Sequence, residues 1–256
     1  MFKIVCCGWR CPDWVRVTLD SIAHQHLRDF EVMISYESDD PIESGFQKIE
    51  DWVSKQPDRG KYHMSFREGR ENFLFGSQAR YRAIEALAPA DDDVIIWLNI
   101  DGDRFAHPQV LNRVWDSYFL DGFPLVTYGS FLHVPDEPNP LVAKPYDNAV
   151  IAHRSYREAP FCAADLRTMQ YRVWKNIPAE QHQWSDGHSW YSKIDDMTSM
   201  IPALELVGLR HRFVPEVLMI YNILNPLSGV KVPGVAEETT AHIADFRAKK
   251  PLDQVF

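Results

Sequence analysis

Short apolar segments alternate with amphipathic helical segments along the first half of this 256-residue chain. Residues 3–8, 30–36 and 94–100 have the composition of buried strands, and helices are predicted at 11–22 and 46–53. Strands that are connected through a helix usually return to the same sheet in parallel orientation. The alternation therefore predicts an α/β fold, with a mostly parallel twisted sheet that helices cover on both faces.

The second half of the chain is less regular than the first. Prolines at positions 135, 138, 140 and 145 interrupt it, and proline removes a backbone donor and restricts the residue before it. The same rules predict further strands at 62–66, 125–128 and 213–221 and helices at 77–87, 108–119, 163–174, 195–207 and 237–246. We expect one domain over residues 1–226, followed by a C-terminal extension, 227–256, that forms a tail or a lid.

Charge and composition exclude several classes of protein. Twenty-seven basic residues against 36 acidic ones give a formal net charge of −9, which disfavours binding to an extended nucleic-acid duplex. No apolar run approaches the roughly 20 residues that a membrane span requires, and the apolar stretch at residues 2–5 is too short for a secretory signal. The sequence therefore favours a cytoplasmic protein without a membrane span.

Cysteine use agrees with a reducing compartment. Three of the 4 cysteines lie close together, at Cys6, Cys7 and Cys11, unlike the spread framework of a small secreted domain. Adjacent residues of a strand point to opposite faces of the sheet. Cys6 and Cys7 are therefore expected to pack separately rather than to share a zinc ion.

Two carboxylates separated by one glycine, Asp101 and Asp103, follow the strongest buried-strand segment of the chain. Ligands of open α/β sheets bind beyond the carboxyl ends of strands, and such carboxylates can converge on Mn²⁺ or Mg²⁺. An EF-hand is excluded, because Phe105 and Asn112 occupy positions where that loop requires acids. Two alternatives stay open: a polar Asp-Gly turn without a ligand, and an aspartyl phosphohydrolase with Asp101 as nucleophile.

The order of the motifs around this turn resembles that of the GT-A fold glycosyltransferases, close to family 2, over roughly residues 2–226. The segments that carry the resemblance are Ile4–Gly8, Leu19–Gln25, Phe30–Ile34, Glu37–Asp40, Asn72, Gly76–Ile84 and Asp101–Asp103. The last of these falls where the family has its metal-binding Asp-x-Asp (DxD) motif. No glycine-rich phosphate loop, of the Walker or the G-x-G-x-x-G type, competes with this assignment.

The resemblance implies a GT-A domain with a small mixed region on the acceptor side. It implies a metal-dependent, hexosyltransferase-type enzyme that moves a sugar from a nucleotide-sugar, foremost a UDP-sugar, with inversion. The implied contacts are Ser38 and Asp39 with the nucleotide, Arg80 with the phosphates or a carboxylate, Asp101 with the ribose or the cation, and Asp103 with the cation. Mn²⁺ or Mg²⁺ at this place would offset the charge that develops on the leaving diphosphate.

The third metal ligand is left unassigned by the resemblance. Asn222 and Asn225 stand where family members often carry a histidine. His182 and His188 are the alternatives, as a metal ligand or as a diphosphate contact. The spacing of the two histidines differs from the i, i+4 pair of helical zinc hydrolases, so that class of enzyme is disfavoured.

A second pair of acids, Asp195 and Asp196, opens a predicted helix, where the helix dipole favours negative charge. The pair resembles the base motif of the family, with Asp196 the stronger candidate for taking the proton of the acceptor hydroxyl. Helix N-capping is the alternative. Both roles coexist if Asp195 caps the helix and Asp196 faces the cleft.

The loop over residues 182–191 is the candidate for binding the acceptor. Trp184, His188, Trp190 and Tyr191 could pack on the apolar faces of a sugar, and a tryptophan-rich corner of the core is the alternative. The acidic balance favours a glycan or a small molecule over a modified nucleic acid as acceptor. A non-catalytic nucleotide- or glycan-binding module on the same fold remains a further hypothesis.

Overall fold

The computed structural model of the protein describes residues 1–40, 45–69, 74, 76–119, 123–134, 143–225 and 235–256. Asn72 and residues 227–234, which enter the predictions above, lie outside the described residues. The strands are β1 (Phe2–Trp9), β2 (Phe30–Ser38), β3 (Tyr62–Glu68), β4 (Val94–Asn99), β5 (Arg104–Phe105), β6 (Val126–Val134), β7 (Arg167–Gln170) and β8 (His211–Asn222). The α-helices are α1 (Val15–Ala23), α2 (Gly45–Ser54), α3 (Gly76–Ala86), α4 (Val110–Ser117), α5 (Asn148–His153), α6 (Tyr171–Trp174), α7 (Asp195–Val207) and α8 (Val235–Ala248).

The strands form one sheet in the order β3-β2-β1-β4-β7-β6-β8-β5. The first four strands of the chain pair in parallel, and their register places Cys7 of β1 beside Ser35 of β2 and Asn99 of β4. The carboxyl ends of these strands therefore meet along one edge of the sheet. The predicted α/β fold with a mostly parallel sheet is confirmed.

Two hydrophobic clusters cover the two faces of the sheet. One cluster holds α1, α2 and α4 against it, and the other holds α3, α6, α7 and α8. Cys6 belongs to the first cluster and Cys7 borders the second, so the two side chains point to opposite faces as predicted. Within the described ranges, no helix is long and apolar enough to cross a bilayer.

The helix predicted over residues 163–174 is wrong. Residues 167–170 form β7, which inserts between β4 and β6 and pairs antiparallel with both, and only residues 171–174 are helical. A short strand that is buried on both faces has no alternating pattern, so its sequence does not distinguish it from a buried helix. The hydroxyl of Thr168 lies 2.7 Å from those of Tyr118 and Thr127, contacts that exist only in the assembled sheet.

Several predicted elements are present with shifted bounds. α1 begins at Val15 rather than at residue 11, because the preceding residues form a turn in which the N–H of Trp14 donates to Cys11 O. β6 and β8 extend beyond the predicted strands because they pair in parallel as far as Val134 and Asn222. The extension of β8 brings Asn222 to the carboxyl edge of β4.

The described C-terminal residues, 235–256, pack against the rest of the domain. Arg157 donates to both carboxylate oxygens of Glu205, at 2.6 and 2.9 Å, and to Phe246 O at 2.9 Å. Glu205 lies in α7 and also accepts the N–H of Leu252 at 2.9 Å. This buried ion pair fastens the C-terminal segment to α7, and the fully buried ring of Phe246 adds an apolar contact.

Replacing Arg157 by methionine should destabilise the fold by about 3–5 kcal/mol, because it leaves the Glu205 carboxylate buried without its partner. Urea unfolding followed by tryptophan fluorescence measures the change. The double variant Arg157→Met/Glu205→Leu should recover part of the loss, since two apolar side chains bury no charge. A single variant as stable as the wild type would contradict the role of the ion pair.

Candidate functional site

The turn from Asp101 to Asp103 connects β4 to β5 at the carboxyl edge of the sheet. Gly102 at its centre has a φ of +103°, which residues with a side chain rarely adopt. Its N–H donates to Thr18 Oγ1 at 3.2 Å, and an added Cβ would lie 2.4 Å from Asn222 Nδ2. The turn is thus packed from two sides, and both its conformation and its neighbours require glycine.

α1 holds the backbone that leaves this turn. Ser21 Oγ accepts the N–H of Phe105 at 3.2 Å. Gln25 Nε2 donates to His107 O at 2.9 Å, and Gln25 Oε1 accepts the N–H of Leu111 at 3.1 Å. Ser21 near the end of α1 and Gln25 just beyond it, both within the Leu19–Gln25 segment that contributed to the family resemblance, therefore position the turn without being part of it.

Three asparagines bind the two aspartates. Asp103 Oδ2 accepts from Asn99 Nδ2 at 3.0 Å, and Asp103 Oδ1 accepts the N–H of Asn222 at 2.9 Å. Asn222 Nδ2 donates to Asp101 O at 2.7 Å, and the Asn225 side chain hydrogen-bonds the Asp101 carboxylate. Asn222 and Asn225, the positions considered for a third metal ligand, thus hold the two candidate ligands Asp101 and Asp103 in place.

The two carboxylates resist being ionised together. Burial raises the pKa of Asp101 to about 6, and burial together with repulsion from Asp101 raises the pKa of Asp103 well above its usual value. Asp101 Oδ1 is buried and has no hydrogen-bond partner among the described residues. Paired carboxylates with an unsatisfied oxygen fit a hard divalent cation, which completes its shell with water and substrate phosphates.

Asp101 and Asp103 would be the protein ligands of such a cation. Across the described ranges, no group of three or more His, Cys, Asp or Glu side chains is arranged to hold a metal ion. Mg²⁺ sites often use only one or two carboxylates together with the phosphates of the substrate. The donor set therefore suits a cation that arrives with a nucleotide better than a permanently bound structural metal.

Arg80 on α3 joins this turn to the start of α7. Its buried guanidinium donates to Asn99 Oδ1 at 2.9 Å and forms an ion pair with Asp195. Arg80 was predicted to contact either the phosphates of the donor or a carboxylate, and in the structure it contacts the carboxylate of Asp195. Asp195 does not cap α7: Ile194 is the cap residue, and the first-turn N–H of Met197 donates to Asp196 Oδ1 at 2.8 Å rather than to Asp195.

Asp196 is the more accessible of the two acids, with 33% of its side chain exposed. Its Oδ2 lies 3.5 Å from Nη1 of Arg167, and Nη2 of Arg167 lies 2.6 Å from Asp165 Oδ1. Sequence reasoning missed Asp165 and Arg167, because both fell within the wrongly predicted helix. The signal that could have found them is a pair of opposite charges at i and i+2 in an otherwise apolar segment.

Ser38 and Asp39, predicted to contact the nucleotide, lie at the carboxyl end of β2. Ser38 is buried, whereas the Asp39 side chain is partly exposed, with Oδ1 3.6 Å from Nε of Arg10. Since β1 lies between β2 and β4, these residues are about 10 Å from the Asp101 turn across the sheet. The structure thus brings both predicted groups to one edge of the sheet but not into contact.

The loop predicted to bind an acceptor has a buried part and an accessible part. Tyr191 is fully buried, and its hydroxyl donates to Asp245 of α8. Tyr191 therefore belongs to the core, which corrects its assignment to the acceptor. Trp184 and Trp190 are half-buried and His188 is exposed, so these three side chains stay available for contact.

His182 is part of the core beneath this loop. Its ring centroid lies 5.1 Å from that of Trp174 and 6.4 Å from that of Trp190, and its Nδ1 lies 3.3 Å from Thr198 Oγ1. Burial lowers the pKa of His182 to about 3. His182 is therefore a neutral side chain packed among aromatic rings, which disfavours a charged contact between it and a diphosphate.

The fold of the chain matches that of solved GT-A-type glycosyltransferases. It aligns with S. aureus TarS at a TM-score of 0.61 and 13% identity, over 97% of this chain and 42% of TarS. A shorter TarS structure in complex with UDP-GlcNAc aligns at 0.57 and 13% identity, over 86% of this chain and 58% of that one. The mannosyltransferase PcManGT from Pyrobaculum calidifontis, in complex with GDP-Man and Mn²⁺, aligns at 0.60 and 11% identity, over 98% and 65%.

These matches establish the GT-A fold for this chain, which spans less than half of the first of the two TarS chains. No protein-family model matches the sequence, and no curated protein matches it. At sequence identities this low, a structural match supports a shared fold and does not by itself support a shared activity.

Replacing Gly102 by alanine should destabilise the protein by about 1–3 kcal/mol, because it adds backbone strain and displaces the Asn222 amide. The matched control is Gly187→Ala, where φ is +74° but nothing lies within 4 Å of the added Cβ. Urea unfolding of both variants separates the contact from the strain. Equal losses for the two variants would contradict the close packing of the turn.

Acidification should destabilise the wild type more than a His182→Asn variant. The pKa of His182 falls from its usual 6.5 to about 3 on folding, so its stabilising contribution is present above pH 6.5 and is lost as the pH falls toward 3. The expected difference in slope reaches about 1.4 kcal/mol per pH unit. Urea unfolding at pH 7, 6 and 5 measures it, and parallel curves for the two proteins would contradict the burial of a neutral His182.

Proposed function

We propose that this protein is a metal-dependent glycosyltransferase that moves a sugar from a nucleotide-sugar donor to an acceptor hydroxyl. The observation that carries the proposal is the pair of half-buried Asp101 and buried Asp103, with the buried Oδ1 of Asp101 unsatisfied among the described residues, at the carboxyl edge of β4 in a GT-A fold. Strand ends at this edge of an open α/β sheet are where nucleotide ligands bind. The proposal includes a UDP-sugar as the first donor to test.

The donor half of the proposed site lies along β1, β2 and β4. Asp39 and Ser38 would contact the nucleoside, and Asp101 and Asp103 would hold a divalent cation beside the diphosphate. That cation would supply positive charge to the diphosphate as it leaves. Asn99 and Asn222 keep Asp103 in place, so the carboxylates need not reorganise when the donor binds.

The acceptor half of the proposed site begins at α7. Asp196 would take the hydroxyl proton while the acceptor oxygen bonds to the anomeric carbon and the bond from that carbon to the diphosphate oxygen breaks. The diphosphate keeps the electron pair of the broken bond. A base on the side opposite the leaving group gives inversion at that carbon. Trp184, Trp190 and His188 would form the rim against which a glycan or a small acceptor packs.

Thermal unfolding with UDP, GDP and other nucleoside diphosphates, with and without Mn²⁺, tests the donor half. A ligand at a hundred times its Kd should raise the unfolding midpoint by roughly 5–10 °C. We expect one diphosphate to stabilise the wild type only when Mn²⁺ is present. Asp101→Asn and Asp103→Asn should lose this response, and Asp253→Asn, which removes one exposed charge elsewhere, should keep it.

Two outcomes would replace the proposal with another function. Stabilisation by Mg²⁺ with beryllofluoride, and by no diphosphate, would favour the aspartyl phosphohydrolase with Asp101 as nucleophile. A diphosphate response without turnover of any nucleotide-sugar would favour a non-catalytic binding module. Loss of turnover in Asp196→Asn with an unchanged diphosphate response would support the glycosyltransferase.

A further inference from the structure

Arg167, the first residue of β7, and Asp165, two residues before it, form a buried ion pair beside the proposed base. No motif in the sequence pointed to this pair. Arg167 is 6% exposed and Asp165 is 6% exposed. Nη2 of Arg167 lies 2.6 Å from Asp165 Oδ1. Burying a guanidinium is costly unless carboxylates or hydrogen-bond acceptors surround it. Such a pair next to an active-site candidate therefore calls for a functional explanation.

The second partner of the Arg167 guanidinium is Asp196. Nη1 of Arg167 lies 3.5 Å from Asp196 Oδ2, and the guanidinium carbon lies 5.7 Å from the centre of the Trp97 ring. The guanidinium thus has a carboxylate on each side and an aromatic face below it. Since a guanidinium is planar and its donors form a rigid fork, fixing it on Asp165 and Trp97 also fixes the direction of its remaining donors.

The two acids at the start of α7 are each matched with a separate buried arginine. Arg80 pairs with Asp195 and links it to Asn99, whereas Arg167 pairs with Asp196 and links it to Asp165. Asp195 is thereby tied to the turn that would hold the cation. Asp196 is tied to β7 instead, and it keeps a third of its side chain exposed.

We propose that Arg167, anchored by Asp165, is a positioning residue that orients the Asp196 carboxylate toward the acceptor hydroxyl. This inference rests on the function proposed above. Asp196 Oδ1 accepts the N–H of Met197 at 2.8 Å, whereas Oδ2 faces Arg167 at 3.5 Å, an ion-pair distance at which the guanidinium restrains this oxygen without a short hydrogen bond. When the proton arrives, the guanidinium stays in place because Asp165 holds it.

A double-mutant cycle on turnover tests this role. Turnover is measured as the release of nucleoside diphosphate from a nucleotide-sugar, with water as the acceptor. The nucleotide-sugar is the one whose base the thermal unfolding experiment identifies. Arg167→Gln should lower kcat by about a hundredfold, within the range that a positioned base supplies, and should change the donor KM less than about threefold. Asp196→Asn should lower kcat at least as much. The double variant should be no slower than Asp196→Asn, because positioning has no effect once the base is gone.

Conservative variants keep the test informative if Arg167→Gln folds poorly. Arg167→Lys preserves the charge but not the fork, and Asp165→Asn removes the anchor, so both should lower kcat by intermediate factors. The matched control is Arg157→Lys, a buried arginine paired with Glu205 toward the other end of α7. That variant should lower the unfolding midpoint and leave kcat unchanged at a temperature where it is folded.

The outcomes separate this inference from the function on which it rests. Three results would overturn the positioning role and leave the glycosyltransferase intact. They are a loss of kcat in the double variant equal to the product of the two single losses, an unchanged kcat in Arg167→Gln, and an effect confined to the donor KM. A wild type that binds a diphosphate with Mn²⁺ but turns over no nucleotide-sugar would remove both. Non-additive loss of kcat, with the diphosphate-induced rise in midpoint retained in every variant, would support both.

Discussion

The buried carboxylate of Asp103 joins the two halves of the sheet. One oxygen binds Asn99 at the end of β4, and the other binds the backbone of Asn222 at the end of β8. Asn99 also accepts from Arg80, which reaches Asp195 at the start of α7. A buried polar group that loses its partner costs about 1–3 kcal/mol, and more when it is charged. Without the Asp103 carboxylate, the Asn99 amide and the Asn222 N–H would lose these partners, so the link between β4 and β8 depends on this side chain.

The accumulation of charge at this edge sets the chemistry of the site. Among the residues that the structure describes, two buried guanidiniums, those of Arg80 and Arg167, lie among the carboxylates of Asp101, Asp103, Asp165, Asp195 and Asp196. Burial raises the pKa of Asp165 as well as those of the turn aspartates. Replacing buried ion pairs by apolar side chains of the same volume is often neutral or stabilising, so these charges are weak evidence of a role in stability. The excess of acids is consistent with the proposed cation, which would bind there together with an anionic ligand.

The sequence was most informative where the local pattern is strong. β1, β2 and β4 are largely apolar runs, and Asp101 and Asp103 follow the clearest of them, so both this part of the sheet and the turn were predictable. β7 was not predictable, because its strand conformation depends on pairing with β4 and β6, which flank it. Asp165 and Arg167 were missed for the same reason. The prediction that Tyr191 contacts the acceptor was wrong for a related reason. The sequence around an aromatic residue in a polar loop does not indicate that α8 covers it.

The position of β7 also determines which contacts complete the charged edge. β7 lies between β4 and β6 and brings Gln170 beside Val94. Arg167 lies in β7 and Asn222 at the end of β8, so a chain in which only β1 to β4 have paired lacks these partners of the acids. In such a chain we expect Asp101 and Asp103 to be hydrated, and the electrostatic repulsion between them becomes strong only when β7 and β8 have joined the sheet and excluded water.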